Sequence, residues 1–397
     1  MTRRATKPAA YADHPPLAPF GITRAGDLTD LDIIGLPVWS TARPNARSVA
    51  ISQGKGLTHE QARISAIMEA VEGAVAEQTR VLIAEFGTPE EMAARNRHLM
   101  PLEDLARFRA DAYDEAMQRA WVRGVVHGSG EAVFAPYELI GLDMREEFPW
   151  DRDAFHISSV GLAAGPDFAF AALAAVLELV EHDATTLSDA FGHLKGTSRQ
   201  LRWQAGLHAG LDEAVGRVRA AGLEPRFFDK SNRIGLPVVS AVITRPVLEE
   251  EGGGERFSGG EACRLDAGAA ALAALLEAVQ SRLTNIAGAR DDLEPDFYEA
   301  RDDALPMPDP GAPSLAEFAA RYRQPPLLLA DELPHAAQLD IVAGKLGQAG
   351  HTEIYLFDLP GPVEGVHVVR ALVPGLKTFV EDGVSDIGLE DLIGAVA

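Results

Sequence analysis

Along the chain, short apolar runs bounded by glycine and proline alternate with long stretches in which apolar residues recur every three or four positions, so strands and helices are both predicted. "GLPVWSTARP" and "RSVAISQGKG" read as strands, followed by a helix from about Thr58 to Phe86 with Thr58 and Gln61 placed for a capping box. The charged stretch "TPEEMAARNRHLMPLEDLARFRADAYDEA" reads as exposed helices and turns. "WVRGVVHGSGEAVFAPYELIGLD" reads as a hairpin turning at His127–Gly130. A second helix is predicted from about Phe168 to Ala190, a strand pair in "EPRFFDKS" and "GLPVVSAVITR", and a third helix from about Ala267 to Ala289. The acidic, glycine-rich "LEEEGGGERFSGGE" between them reads as a solvated turn or a mobile loop over a site. "TEIYLFDL" and "VHVVRALVPG" supply two late strands.

The three helices share a device. Glu69/Glu72, Glu178/Glu181 and Glu277/Gln280 are polar pairs three residues apart, hence on one helix face, in otherwise Ala/Leu/Val surroundings. Ser65 stands one turn before Glu69 on the same face. One such pair alone reads as a solvated face. Three in apolar company call for a cation, because isolated buried carboxylates are costly. Clustered Glu and Gln oxygens suit a hard ion such as Mg²⁺, which commonly binds substrate phosphates as well. In "SQGKGLT", Lys55 and the adjoining glycines are candidates for phosphate contacts, although the segment is not a Walker A loop: Val49 stands where its first glycine belongs and Gly56 follows the lysine. Arg282 and Arg290 are further candidate cations, each equally readable as a surface ion pair.

Composition narrows the classes. The 397 residues carry a formal net charge of −23, which argues against nucleic-acid and anionic-membrane partners. No stretch approaches the roughly 18 apolar residues of a membrane span, and residues 1–19 read as a flexible arm without a signal peptide's apolar core. A cytoplasmic location is expected. Cys263, the single cysteine, reads as a small buried hydrophobe; His156, His182, His193 and His208 lack metal-ligand spacing; Ser158 and Ser159 lack the context of a hydrolase nucleophile.

"GKGLTHEQARISAIMEAVEG", "SSVGLAAGPDFAFAALAAVLELVEHDA" and "LLEAVQSRLTNIAGARDD", in this order, resemble the YcaO proteins over about residues 20–380. The entry "GITRAGDLTDLDIIGLPVWSTARP" resembles the branch that works beside a TfuA partner. The resemblance implies an α+β fold over residues 20–397, with mixed or antiparallel sheets and long helices carrying carboxylates around an ATP site. It implies ATP- and Mg²⁺-dependent phosphorylation of a peptide-backbone amide oxygen, followed by attack of a nucleophile on the amide carbon. Ser65, Glu69, Glu72, Glu178, Glu181 and Gln280 match the family's motifs, with Glu69, Glu72, Glu178 and Glu181 as the implied metal ligands; no catalytic residue is assigned. The implied partners are a precursor peptide, a TfuA-like protein, a sulfide donor and a second copy of the chain.

Thioamide formation is the expected outcome, since the chain ends "LEDLIGAVA" and lacks the proline-rich tail frequent in azoline-forming members. Azoline formation and a catalytically impaired, peptide-binding scaffold are the alternatives. The scaffold reading arises from departures: the arginine that usually closes each E-x2-E-R motif is Gly73 in the first and His182 in the second, Pro166 and Phe170 replace an Asn and an acidic residue, and Thr284 replaces an arginine.

Overall fold

The computed structural model describes residues 15–145, 150–195, 199–244, 257–288, 308–322 and 333–378. Strands β1 (Arg24–Asp27), β2 (Val38–Ala42) and β3 (Ile51–Lys55) form a first sheet in that order, and helix α1 (His59–Ala76) follows. The chain continues through α2 (Thr79–Leu82), β4 (Ile83–Gly87), α3 (Pro89–Ala94), β5 (Arg119–Val126), β6 (Ala132–Pro136), α4 (Tyr137–Ile140) and β7 (Leu162–Gly165) into the long α5 (Phe168–Lys195). Then come β8 (Gln200–Leu201), α6 (Ala209–Ala220), β9 (Glu224–Asp229), β10 (Val238–Thr244), β11 (Ser258–Cys263) and α7 (Ala267–Ala287). Helices α8 (Leu315–Tyr322) and α9 (His335–Gln348) precede β12 (Tyr355–Leu359) and β13 (His367–Leu372).

The second sheet has the order β11-β10-β9-β8; the third runs β4-β5-β12-β13-β7, with β6 also paired to β5. Among the described residues, every pairing between these strands is antiparallel. This is the expected α+β architecture. Each carboxylate-bearing helix bridges two sheets: α1 packs on β2 and β3 and on β7, α5 on β7 and β13 and on β11, and α7 on β10 and β11 and on β3. Ala66, Ala70, Ala74, Ala171, Ala175, Ala271 and Ala274 are wholly or nearly wholly buried on these helices. Small side chains at the contacts bring helix and strand backbones close.

Two glycines let helix and strand backbones meet. A Cβ on Gly54 would fall 1.9 Å from the Ala66 nitrogen, and one on Gly260 would fall 2.4 Å from the Ala278 nitrogen. Gly54 thus belongs to a strand pressed against α1, and the "SQGKG" segment is no mobile phosphate loop. Its glycines are there for helix–strand packing.

Several sequence expectations change here. The first helix ends at Ala76 instead of Phe86, because Ile83–Gly87 pairs with β5 as a strand. At the helix end, the Glu77 carboxylate is held by Arg43 and by the Ser48 backbone N–H (3.0 Å) and hydroxyl (2.6 Å). Residues 258–261, read as part of a loop, belong to β11; residues 248–256 of that segment lie outside the described residues. The Thr58/Gln61 capping box and the hairpin turning at 127–130 are present as expected.

Candidate active site

The polar faces of α1, α5 and α7 meet at the junction of the three sheets. Backbone amides fix three of the carboxylates: Ala164 N–H donates to Glu72 Oε1 (2.8 Å), Gly161 N–H to Glu178 Oε2 (3.2 Å) and Cys263 N–H to Glu181 Oε2 (2.9 Å). Lys55 Nζ reaches Glu277 Oε2 at 2.7 Å, joining β3 to α7. Ser65 and Gln280 are half-buried on the same helices.

These carboxylates act on one another. Burial pushes Glu72 well above the ordinary carboxylate range, and the charges of Glu178 and Glu69 push it further, against the Ala164 amide and Arg370. Burial pushes Glu178 up to about 7; Arg370 and the Gly161 amide oppose the shift, whereas Glu277 and Glu69 add to it. Glu181 is raised by burial and then by Glu277, against Arg264 and the Cys263 amide. Buried carboxylates of α1 and α5 thus lie within electrostatic reach of one another and of Glu277 on α7.

Two arginines, missed by sequence reasoning, lie behind this cluster. Arg370 on β13 is completely buried; its Nε donates to the Ile140 carbonyl (3.1 Å) and its Nη1 to those of Ser159 and Val160 (2.9 Å each). Arg107 donates to the Ser158 and Leu139 carbonyls at 3.2 Å. Burial lowers Arg370 to about 9 and Arg107 to about 10, with carboxylate charges opposing both shifts. Arginine keeps its proton at such values. The two guanidiniums brace the Ser158–Val160 segment through its carbonyls while facing Glu72 and Glu178 with positive charge. A lone arginine inside the apolar run "VHVVRALV" was the available signal for Arg370; Arg107 sits in a generally charged stretch and had none.

The other candidate cations are engaged elsewhere. Arg282 Nε pairs with Asp32 at 2.9 Å, and Thr284 hydrogen-bonds the Gln53 side chain and the Gln280 carbonyl (2.9 Å). Arg290 lies outside the described residues. Over Gly73, where the motif arginine is missing, the Arg43 guanidinium occupies the room: a Cβ there would come within 2.6 Å of its Nη1. Arg43 is buried against Glu77 and donates to the Ala70 carbonyl (3.1 Å). His182 is depressed by burial, against the charge of Glu277. Phe170 covers Gly165 and meets the His335 ring edge-on at 5.0 Å. The Cys263 thiol is buried and pushed up by burial, far from a reactive thiolate.

The donor set fits a hard divalent ion. It is all oxygen, and an ion would relieve the mutual repulsion that raises these carboxylates. Among the described residues, no three His, Cys, Asp or Glu side chains are drawn together as a ready-made cage. Mg²⁺ is commonly held by one or two carboxylates together with substrate phosphates and water, which matches such an arrangement.

Raised carboxylates have a consequence for stability. They bind more protons in the folded chain than in the unfolded one, so ligand-free stability should fall as pH rises from the ordinary carboxylate value toward the folded value of about 7 for Glu178. Urea midpoints of the ligand-free protein should decline between about pH 5 and pH 7, on the order of 1 kcal/mol per raised carboxylate. A rise over this window would contradict the electrostatic picture.

An α+β fold in which carboxylates of three helices act on one another at one seam offers the oxygen donors a hard metal ion takes. The sequence profile described as YcaO cyclodehydratase, ATP- and Mg²⁺-binding, matches residues 53–377, and the chain belongs to this family. A protein in the tfuA 3′ region of Rhizobium leguminosarum bv. trifolii is 34% identical over 397 residues, covering 97% of this chain and 91% of the relative. YcaO from Methanopyrus kandleri, bound with AMPPCP and Mg²⁺, has the same fold: TM-score 0.62, 24% identity, 93% of this chain and 90% of that one. A heterocyclase in complex with substrate and cofactor superposes with a TM-score of 0.67 at 18% identity. That match covers 90% of this chain, which spans half the length of the heterocyclase. No helix of the described residues is long and apolar enough to cross a membrane.

Proposed function

We propose that the chain phosphorylates a backbone amide oxygen of a peptide at the expense of ATP, and that sulfide then replaces the phosphorylated oxygen to give a thioamide. In that reaction the amide oxygen attacks the terminal phosphorus, ADP leaves, sulfur adds to the amide carbon, and inorganic phosphate departs with the original oxygen. The observation that carries the proposal is the burial of Glu72, Glu178 and Glu181, each held by a backbone amide, with the charges of the half-buried Glu69 and Glu277 acting on them.

In this reading Glu69, Glu72, Glu178 and Glu181 hold Mg²⁺ on the nucleotide phosphates, while Ser65 and Gln280 complete the polar lining. Bound Mg²⁺ would supply charge neutralisation at the transferring phosphoryl group. The amides of Ala164, Gly161 and Cys263 keep three carboxylates oriented, so little reorganisation accompanies binding. Lys55, which pairs with Glu277 at 2.7 Å, would exchange that carboxylate for a phosphate oxygen when the nucleotide binds.

Thioamide formation is favoured over azoline formation by the relative in the tfuA 3′ region, which makes a TfuA-like protein the expected partner. The scaffold alternative draws on the engagement of Arg282 by Asp32 and of Arg43 by Glu77. With the TfuA-like partner, Mg-ATP and sulfide, a substrate peptide should release phosphate and gain the mass difference between sulfur and oxygen. Loss of one water would indicate an azoline. Peptide binding without nucleotide binding would indicate the scaffold.

A further inference from the structure

The cations so far described are paired or buried, yet a transferred phosphoryl group carries charge beyond what one ion offsets. Arg282 is occupied by Asp32 and Arg43 by Glu77; Arg107 and Arg370 are buried and donate to backbone carbonyls. Arg264 differs from all four. It stands exposed at the turn between β11 and α7, and its Nη1 donates to a neutral group, the Cys263 carbonyl, at 2.6 Å. The N–H of the same Cys263 donates to Glu181 Oε2 at 2.9 Å. One residue thus anchors a buried carboxylate by its amide and an exposed guanidinium by its carbonyl. Arg264 is exposed and near enough to the buried Glu181 for its charge to oppose the upward shift of that carboxyl. Glu277, which also acts on Glu181, carries Lys55, so Lys55 and Arg264 approach these two acids from β3 and from the turn after β11 respectively.

We propose that Arg264 binds the terminal phosphate of the nucleotide, supplying from the turn after β11 the guanidinium that His182 does not supply next to Glu181. This rests on the nucleotide reading of the seam. A planar fork of donors beside a metal-binding carboxylate grips a phosphate through two parallel hydrogen bonds, which an ammonium does not reproduce. The charge adds to binding when the third phosphate is present and contributes little when it is absent.

The test is calorimetric titration of the full chain with Mg-ATP and with Mg-ADP, for the unsubstituted protein, Arg264→Ala and Arg264→Lys. Because Arg264 is exposed, both variants should keep the fold, which circular dichroism and the urea midpoint verify. Arg264→Ala should lose about tenfold in Mg-ATP affinity, the scale of one charge-assisted contact, with Mg-ADP nearly unchanged, and Arg264→Lys should fall between. Unchanged Mg-ATP binding by Arg264→Ala, or equal losses for Mg-ATP and Mg-ADP, would overturn the assignment and leave the nucleotide reading standing. If the unsubstituted chain binds neither nucleotide, the nucleotide reading falls and this assignment falls with it.

Discussion

Glu72→Gln is expected to reduce Mg-ATP affinity by at least about 100-fold and to make the ligand-free protein more stable at the same time. The affinity loss follows from removing a charged oxygen where the ion would sit; even outer partners of metal ligands cost 10–100-fold. The gain in stability follows from the environment. Glu72 is desolvated and repelled by Glu178 and Glu69, so its ionised form strains the fold. Glutamine keeps the oxygen that accepts the Ala164 N–H while discarding the charge. Opposed changes in binding and stability are the signature of a site whose geometry is held for a ligand. Calorimetry and urea unfolding at about pH 8, above the ordinary carboxylate range, read the two quantities separately. Retained affinity would remove Glu72 from the metal ligands.

Arg370→Met is expected to act in the opposite sense on stability. The substitution keeps much of the side-chain volume but removes the donors to the Ile140, Ser159 and Val160 carbonyls and the buried cation facing Glu72 and Glu178. Breaking one side of a buried charge arrangement typically costs about 3–5 kcal/mol, because the remaining charges are left uncompensated. Denaturant unfolding of the ligand-free chain would show it directly. A cost below about 1 kcal/mol, the scale of an ordinary surface pair, would mean that Arg370 is not the counter-charge of the seam.

The carboxylates were legible in the sequence because helical spacing puts residues three apart on one face, and alanine and leucine around them marked that face as facing protein instead of water. What spacing within a helix does not encode is which helices meet, and here three segments separated by about a hundred residues do so. The cations illustrate the difference. Lys55 lay next to recognisable glycines and was picked out, but its partner Glu277 stands 222 residues away. Arg282 attracted notice for its place in a motif, and yet Asp32, in a turn before β2, holds it. The helix expected through Phe86 fails for a similar reason. Helical periodicity persists past Ala76, but Glu77 is drawn to Arg43 and Ser48, and β5 offers Ile83–Gly87 a strand partner. Gly54 and Gly56 read as candidates for phosphate contacts beside Lys55, and in the fold both press against α1.

Because α1, α5 and α7 each span two of the three sheets, the seam works as the keystone of an arch. A ligand gripping all three helices would tie together parts of the chain that are remote in sequence. Amide exchange should then slow, on nucleotide binding, in β3, β7 and β11 alike. A substitution that loosens any one sheet would be felt as weaker binding at the common centre, which makes the affinity for nucleotide a gauge of the integrity of the whole fold.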